Sequence, residues 1–147
     1  MVHALSEIHR TLKPNGILLD LRPLEDSWSV EVVSTSSTQG VSGAGWQVSG
    51  RLSDMPIGIA DDAAANQAMR EVESRGWFIQ KQKEEFAFFY YWDTPKEMKD
   101  FMETEWEDFE KLGEDVYRKT ASIWASSGAD ARVRVRVKMH VALWNKL

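Results

Sequence analysis

Cysteine is absent from these 147 residues. Disulfide staples, thiolate nucleophiles and cysteine-bound metals are therefore excluded. Histidine is scarce: His3, His9 and His140 are the whole set, and no two stand at a metal-binding spacing. They read as surface or internally satisfied histidines, with His140 on the outer side of its strand, and no metal site is expected. No His-x-x-x-His and no Gly-x-Ser-x-Gly occurs, so the zinc-hydrolase and serine-hydrolase signatures are missing too. Gly40, Gly43 and Gly45 lie in a Ser/Thr-rich stretch without a following Lys-Ser/Thr helix, which excludes a phosphate loop. No apolar run approaches the ~20 residues of a membrane span. The start lacks the basic and apolar regions of a signal peptide, so the cytoplasm is the expected compartment. The formal net charge of −5 points away from nucleic acid and anionic membranes as partners.

What the chain has in quantity is large aromatic side chains: seven Trp, six Phe and three Tyr. Rings this dense serve a core, a pocket or an interface. The length suits one domain, which buries roughly 70% of its unfolded surface.

Along the chain, Leu5, Ile8 and Leu12 fall on one face of a helix over Val2–Lys13. No N-cap signal precedes it, as if the helix were entered in mid-stride. Pro14 and Gly16 end it. Ile17–Leu21 is a short apolar run suited to a strand covered on both faces. Asp20 within it is expected to pair with Arg22, the alternative being a charge set at a crevice. Ser27–Ser34 and Gly45–Ser53 alternate as two strands of a hairpin around a polar loop at 35–44, expected to be mobile. Asp61-Asp62 reads as the start of a helix running to Ser74, with Gly76 as its stop. Trp77–Trp92 is a long strand whose polar first half, Gln80–Glu85, is expected to project or bend. Thr94 as N-cap and Pro95 at the first helical position open a long acidic helix reaching Leu112, followed by a second to Ala125. Arg132–Trp144 alternates most clearly. Val133, Val135, Val137, Met139, Val141 and Leu143 face one way; Arg132, Arg134, Arg136, Lys138 and His140 face the other. Burial at about 1.5–3 kcal/mol per side chain accounts for that apolar face. The basic face is expected to be solvated or paired within the chain rather than to read phosphate, since the net charge is −5 and the helix at 95–112 is strongly acidic.

The stretch Ala4 to Leu24 carries more than secondary structure. Glu7, Ile8 and Arg10, then Leu12-Lys13-Pro14-Asn15-Gly16, then Ile17–Leu21, resemble the segment of class I S-adenosylmethionine-dependent methyltransferases that leads into their fifth sheet strand. The resemblance is detailed over residues 4–24 and one of element order beyond. It implies a further helix leading to a sixth and seventh strand in an antiparallel pair, matched in order by 61–92 and 132–144. The implied fold is α/β in an α+β-like form: a truncated Rossmann-type half with a mixed sheet, antiparallel strands and packed helices. It would be a single domain, 1–147, with a hairpin insertion at 27–53 and a helical insertion at 95–125.

The family's cofactor half has no counterpart in the sequence: no strand with a Gly-rich turn, no ribose-binding acid. No cofactor is expected for this chain, and S-adenosylmethionine only if the other half is supplied. The implied protein is methyltransferase-like and inactive alone, as a fragment, remnant or accessory subunit. A free-standing small-molecule-binding α+β protein with an aromatic pocket, or one chain of a split active enzyme, are the alternatives. Catalytic residues cannot be assigned. Trp28, Trp46, Phe88, Tyr90, Trp92 and Trp106 are the candidate pocket or interface. An exposed sheet edge points to a homodimer or a partner chain.

Overall fold

The computed structural model describes residues 1–34 and 45–147. The expected loop at 35–44 lies outside the described residues. In chain order the elements are α1 (Val2–Thr11), β1 (Ile17–Pro23), β2 (Ser29–Ser34), β3 (Gly45–Arg51), β4 (Ser53–Asp54), α2 (Pro56–Ser74), β5 (Phe78–Trp92), α3 (Pro95–Glu105), β6 (Glu110–Lys111), α4 (Glu114–Ser126) and β7 (Arg132–Lys146).

The local signals that set boundaries are mostly visible in the backbone. The Lys13–Gly16 turn closes with the Gly16 amide donating to the Lys13 carbonyl, and Asn15 takes a φ of 61°. Pro then a left-handed Asn is the pattern of a type II turn. α2 ends in a Schellman motif. Gly76, at φ 69°, and Trp77 donate their amides to the Glu73 and Val72 carbonyls. α3 opens with a full capping box between Thr94 and Glu97, with Pro95 in its first turn.

Two expected helix boundaries are corrected. α2 starts at Pro56, not at Asp61, because Met55 is extended and Pro56 supplies the pre-set first turn. Asp62 is instead a tertiary ligand, bonded to Arg22. The acidic helix stops at Glu105, not Leu112. Trp106 leaves helical geometry, its ring packs on Trp28, and the chain peels away so that Glu110 pairs with Asp54 in a two-stranded ribbon. Of the two expectations for Gln80–Glu85, projecting or bending, the structure shows the second. The stretch stays paired with β7, and a register shift between Gln80 and Gln82 absorbs the irregularity.

The fold is α+β, and every strand pair in it is antiparallel. β7 is the spine. β5 pairs along one edge for its whole length; β1 and then β2, with β3 beyond it, share the other edge. β1 and β5 both oppose β7, so they run parallel to each other, with α2 in the connection between them.

Helices cover opposite faces at opposite ends of this sheet. Cross-strand partners share a face and successive residues alternate. On the first face, Val133, Val135 and Val137 are buried with Trp28, Val30 and Leu52 under Met98 and Met102 of α3, with Val116 and Trp124 of α4 alongside. On the second face, Ala142, Trp144 and Phe78 are buried under Leu5 of α1 and Ala68, Met69 and Val72 of α2. The continuous apolar face expected of β7 is therefore covered over one half only. Met139, Val141 and Leu143 remain half-exposed. Two quadrants of the sheet stay uncovered by helices, one apolar and one basic.

Candidate functional site: a bare apolar quadrant and the charged clusters around it

In the apolar quadrant, Ile17, Leu19 and Leu21 of β1 are 56%, 62% and 59% exposed. They stand beside Asn145, Leu143 and Val141 of β7. Phe86 and Phe88 of β5 continue the same face opposite Met139 and Val137, and both are exposed. The opposite side of β1 is quite different. Leu18 packs with α1 and α2, and Asp20 and Arg22 face α2. A strand whose sequence suits burial on both faces is covered on one.

Five of the six candidate aromatics meet at the border of this quadrant. Tyr90 and Trp106 stand edge-on at 5.0 Å, Phe88 meets Tyr90 at 5.2 Å, and Trp106 meets Trp28 at 5.5 Å. Trp92 closes the group, with Phe101 of α3 wedged against Trp92 and Trp106. These offset and edge contacts fill space as a core does. Trp28 is buried; Phe88 and Tyr90 present their outer surface to the apolar quadrant. Trp46 belongs elsewhere: it lies on the second face, under the Arg134 guanidinium.

The basic quadrant pairs its own charges. Arg134 Nε donates to Glu31 Oε2 at 2.6 Å, with Glu31 only 1% exposed. Its guanidinium sits 4.3 Å from the Phe89 ring centre and bonds the Tyr91 hydroxyl. Arg132 pairs with Asp93, and Lys138 with Asp26 and Glu85. Pairing within the chain is thus what Arg132, Arg134 and Lys138 do, while Arg136 is exposed beside the Phe89 ring. The partners of those three come from β2, β5 and the loops, while Asp100 and Glu103 of α3 pair with lysines of their own helix.

His140 is corrected from an outer position to a buried one, 5% exposed beneath α2. The reason is the change of covered face along β7: residues on the basic side at Arg134 are on the helix-covered side by His140. Its Nε2 lies 3.3 Å from Asp20 Oδ2. Arg22 bonds Asp20, Asp62 and Asn66, so β1 and α2 are joined through one guanidinium. The expected Asp20–Arg22 pair is present, and larger than spacing indicated.

A cleft of ≈ 340 Å³ opens where β1 ends and β2 begins, lined by Trp28, Arg51, Phe86, Arg136 and Lys138 among others. Nearby, three carboxylates from three segments converge. Glu25, Asp54 and Glu110 each place an oxygen within 4.8 Å of the others. Glu110 is 3% exposed. Burial, then Glu25 beside it and Asp54 across the ribbon, push its carboxyl up to about 8. Nothing in the spacing of these residues marks them as a group; only the β4–β6 ribbon brings them together.

No helix among the described residues is long and apolar enough to cross a membrane. Comparison of the chain with protein-family models, with curated proteins and with solved structures found no match.

Proposed function

We propose that this chain is a methyltransferase-like half-domain that does not bind S-adenosylmethionine by itself and self-associates through its bare apolar quadrant. The observation that carries the reading is the exposure of Ile17, Leu19 and Leu21 on the strand that follows the Leu12–Gly16 turn. The order helix, strand, helix, strand and final antiparallel strand, with α1 and α2 on one face, supports it. So does a sequence without the Gly-rich strand–turn–helix that would cradle the cofactor.

The occupant we assign to the quadrant is a second copy of the chain. Its centre, Ile17, Leu19, Leu21, Val141 and Leu143, is free of charge. Glu84 and Gln82 of β5, opposite Val141 and Leu143 and bonded to each other, border that centre and would lie at the polar rim of a two-fold contact of the patch on itself. The compartment expected for it is the cytoplasm. A second reading, a small-molecule-binding protein, is favoured by the ≈ 340 Å³ cleft, whose size suits a ligand and whose walls carry Trp28 and Phe86 with Arg51 and Arg136.

Sedimentation at micromolar concentration is expected to show a dimer. The double substitution Leu19→Lys with Leu21→Lys is expected to give a monomer with an unchanged circular dichroism spectrum. A wild-type monomer would overturn the self-association. Calorimetric titration with S-adenosylmethionine is expected to give no binding heat, and tight binding by this chain alone would overturn the half-domain reading.

A further inference from the structure

We infer that Glu25, Asp54 and Glu110 form a site for an oxygen-liganded divalent cation, of the calcium class, that ties the β1–β2 connection to the β4–β6 ribbon. This stands independently of the methyltransferase-like reading.

The case begins with Glu110. Its side chain is buried, both carboxylate oxygens are sealed from solvent, and no amide, hydroxyl or cationic donor meets either among the described residues; the group beside it is the Glu25 carboxyl, with which it can share a proton. Ionised, a carboxylate so placed is costly, because its charge has lost water and gained no donor, so without a cation it keeps its proton. Here it also points at two others. Asp54 is its direct partner across the ribbon, where like charges repel. Glu25 reaches in from the β1–β2 connection, with Oε2 likewise sealed and met by no such donor. The charged groups that act on Glu25 and Glu110 are all carboxylates: each other, Asp54, and Asp62 on the Glu25 side. Asp62 already holds Arg22, and Asp54 accepts the Ser27 amide at 2.9 Å.

The geometry suits a hard cation. The three oxygens lie within 4.8 Å of one another. Two oxygens each ~2.4 Å from one Ca²⁺ span at most about that distance. Three carboxylates and no nitrogen or sulfur donor select calcium, magnesium or manganese over softer metals. The packing keeps Glu25 in place: a Cβ on Gly58, in the first turn of α2, would lie 2.8 Å from Glu25 Oε1. That helix N-terminus offsets part of the negative charge but supplies no full counter-charge. A cleft of ≈ 500 Å³ has Glu110 in its wall, together with Glu103, Glu107 and Lys111.

The bound ion would do for Glu110 what no side chain does. It would also pin three segments distant in sequence, just where the chain leaves α3 early to form the ribbon.

The test uses the purified chain, stripped with EDTA and then titrated separately with CaCl₂, MgCl₂ and MnCl₂ at pH 7.5, followed by thermal unfolding and calorimetry. At least one cation is expected to bind one-to-one and raise the melting temperature by several degrees. Glu110→Gln, which keeps the shape and removes the charge, is expected to weaken binding at least tenfold while melting no lower than wild type in EDTA. Asp54→Asn serves the same purpose if the first variant does not fold. The cation that gives the largest shift identifies the ion. No response to any of the three, or an equal response in wild type and the charge-removing variant, overturns the site.

Discussion

Val135→Asp is expected to abolish the folded state, while Leu21→Asp, on the same face of the same sheet, is expected to leave it intact. Val135 is 0% exposed and lies in the core with Met98, Met102 and Trp28. An aspartate there is an unpaired charge in an apolar core, at a cost above about 4 kcal/mol. That is comparable with the whole stability of an ordinary domain, ~5–15 kcal/mol. Leu21 is 59% exposed, and its replacement should fall within about 1 kcal/mol in the monomer. Urea unfolding followed by circular dichroism, at a concentration too low for self-association, measures both. A cooperative Val135→Asp transition near the wild-type midpoint would mean that α3 and α4 do not cover this part of the sheet. Sedimentation of Leu21→Asp adds a second readout, since the same change should weaken the dimer.

The second large effect is expected at Arg134. Truncation to alanine leaves Glu31, 1% exposed, as a buried anion without a counter-charge, to which the Ser29 hydroxyl still donates at 2.9 Å. Breaking a buried pair from one side costs about 3–5 kcal/mol. Part of the loss here is packing, because the guanidinium lies over Phe89, with Tyr91 and Trp46 around it. Arg134→Lys is not a conservative change at such a site, since an ammonium neither stacks nor reaches two acceptors in the same plane. Removing both charges, with Glu31→Leu and Arg134→Met together, is expected to recover most of the stability of Arg134→Ala. Should the double variant be no more stable than Arg134→Ala, the pair contributes through shape rather than through charge. Chemical denaturation of the four proteins in one buffer decides it.

The two results differ in how far the sequence foretells them. The apolar and basic alternation of β7 is written plainly over Arg132–Leu143, while its place as the spine of the sheet is shown by the pairing alone. Thr94, Pro95 and Glu97 announce the start of α3, and Gly76 the end of α2, because caps and turns are short-range chemistry. The Asp20–Arg22 contact is readable for the same reason. The early end of α3 is not. No glycine or proline stops it; the ring of Trp106 does, by entering a cluster with Trp28, Tyr90 and Trp92, all distant in sequence. Glu25, Asp54 and Glu110 are illegible in one dimension too, since they become neighbours only when the chain after α3 pairs with the chain before α2.

By itself the sequence determined the order of the main helices and strands, the two faces of the long strands, and the Leu12–Gly16 turn. Those follow from dihedral preferences and side-chain periodicity, which act over a few residues. Only the tertiary structure decided which half of each face is buried. Val135 and Val141 are the same residue on the same side of the same strand, and one is core while the other borders solvent. The difference is where α3 and α4, and on the other face α1 and α2, come to rest. Each helix pair spans only half of a fifteen-residue strand, so coverage is settled by the geometry of packing and not by the pattern of the strand.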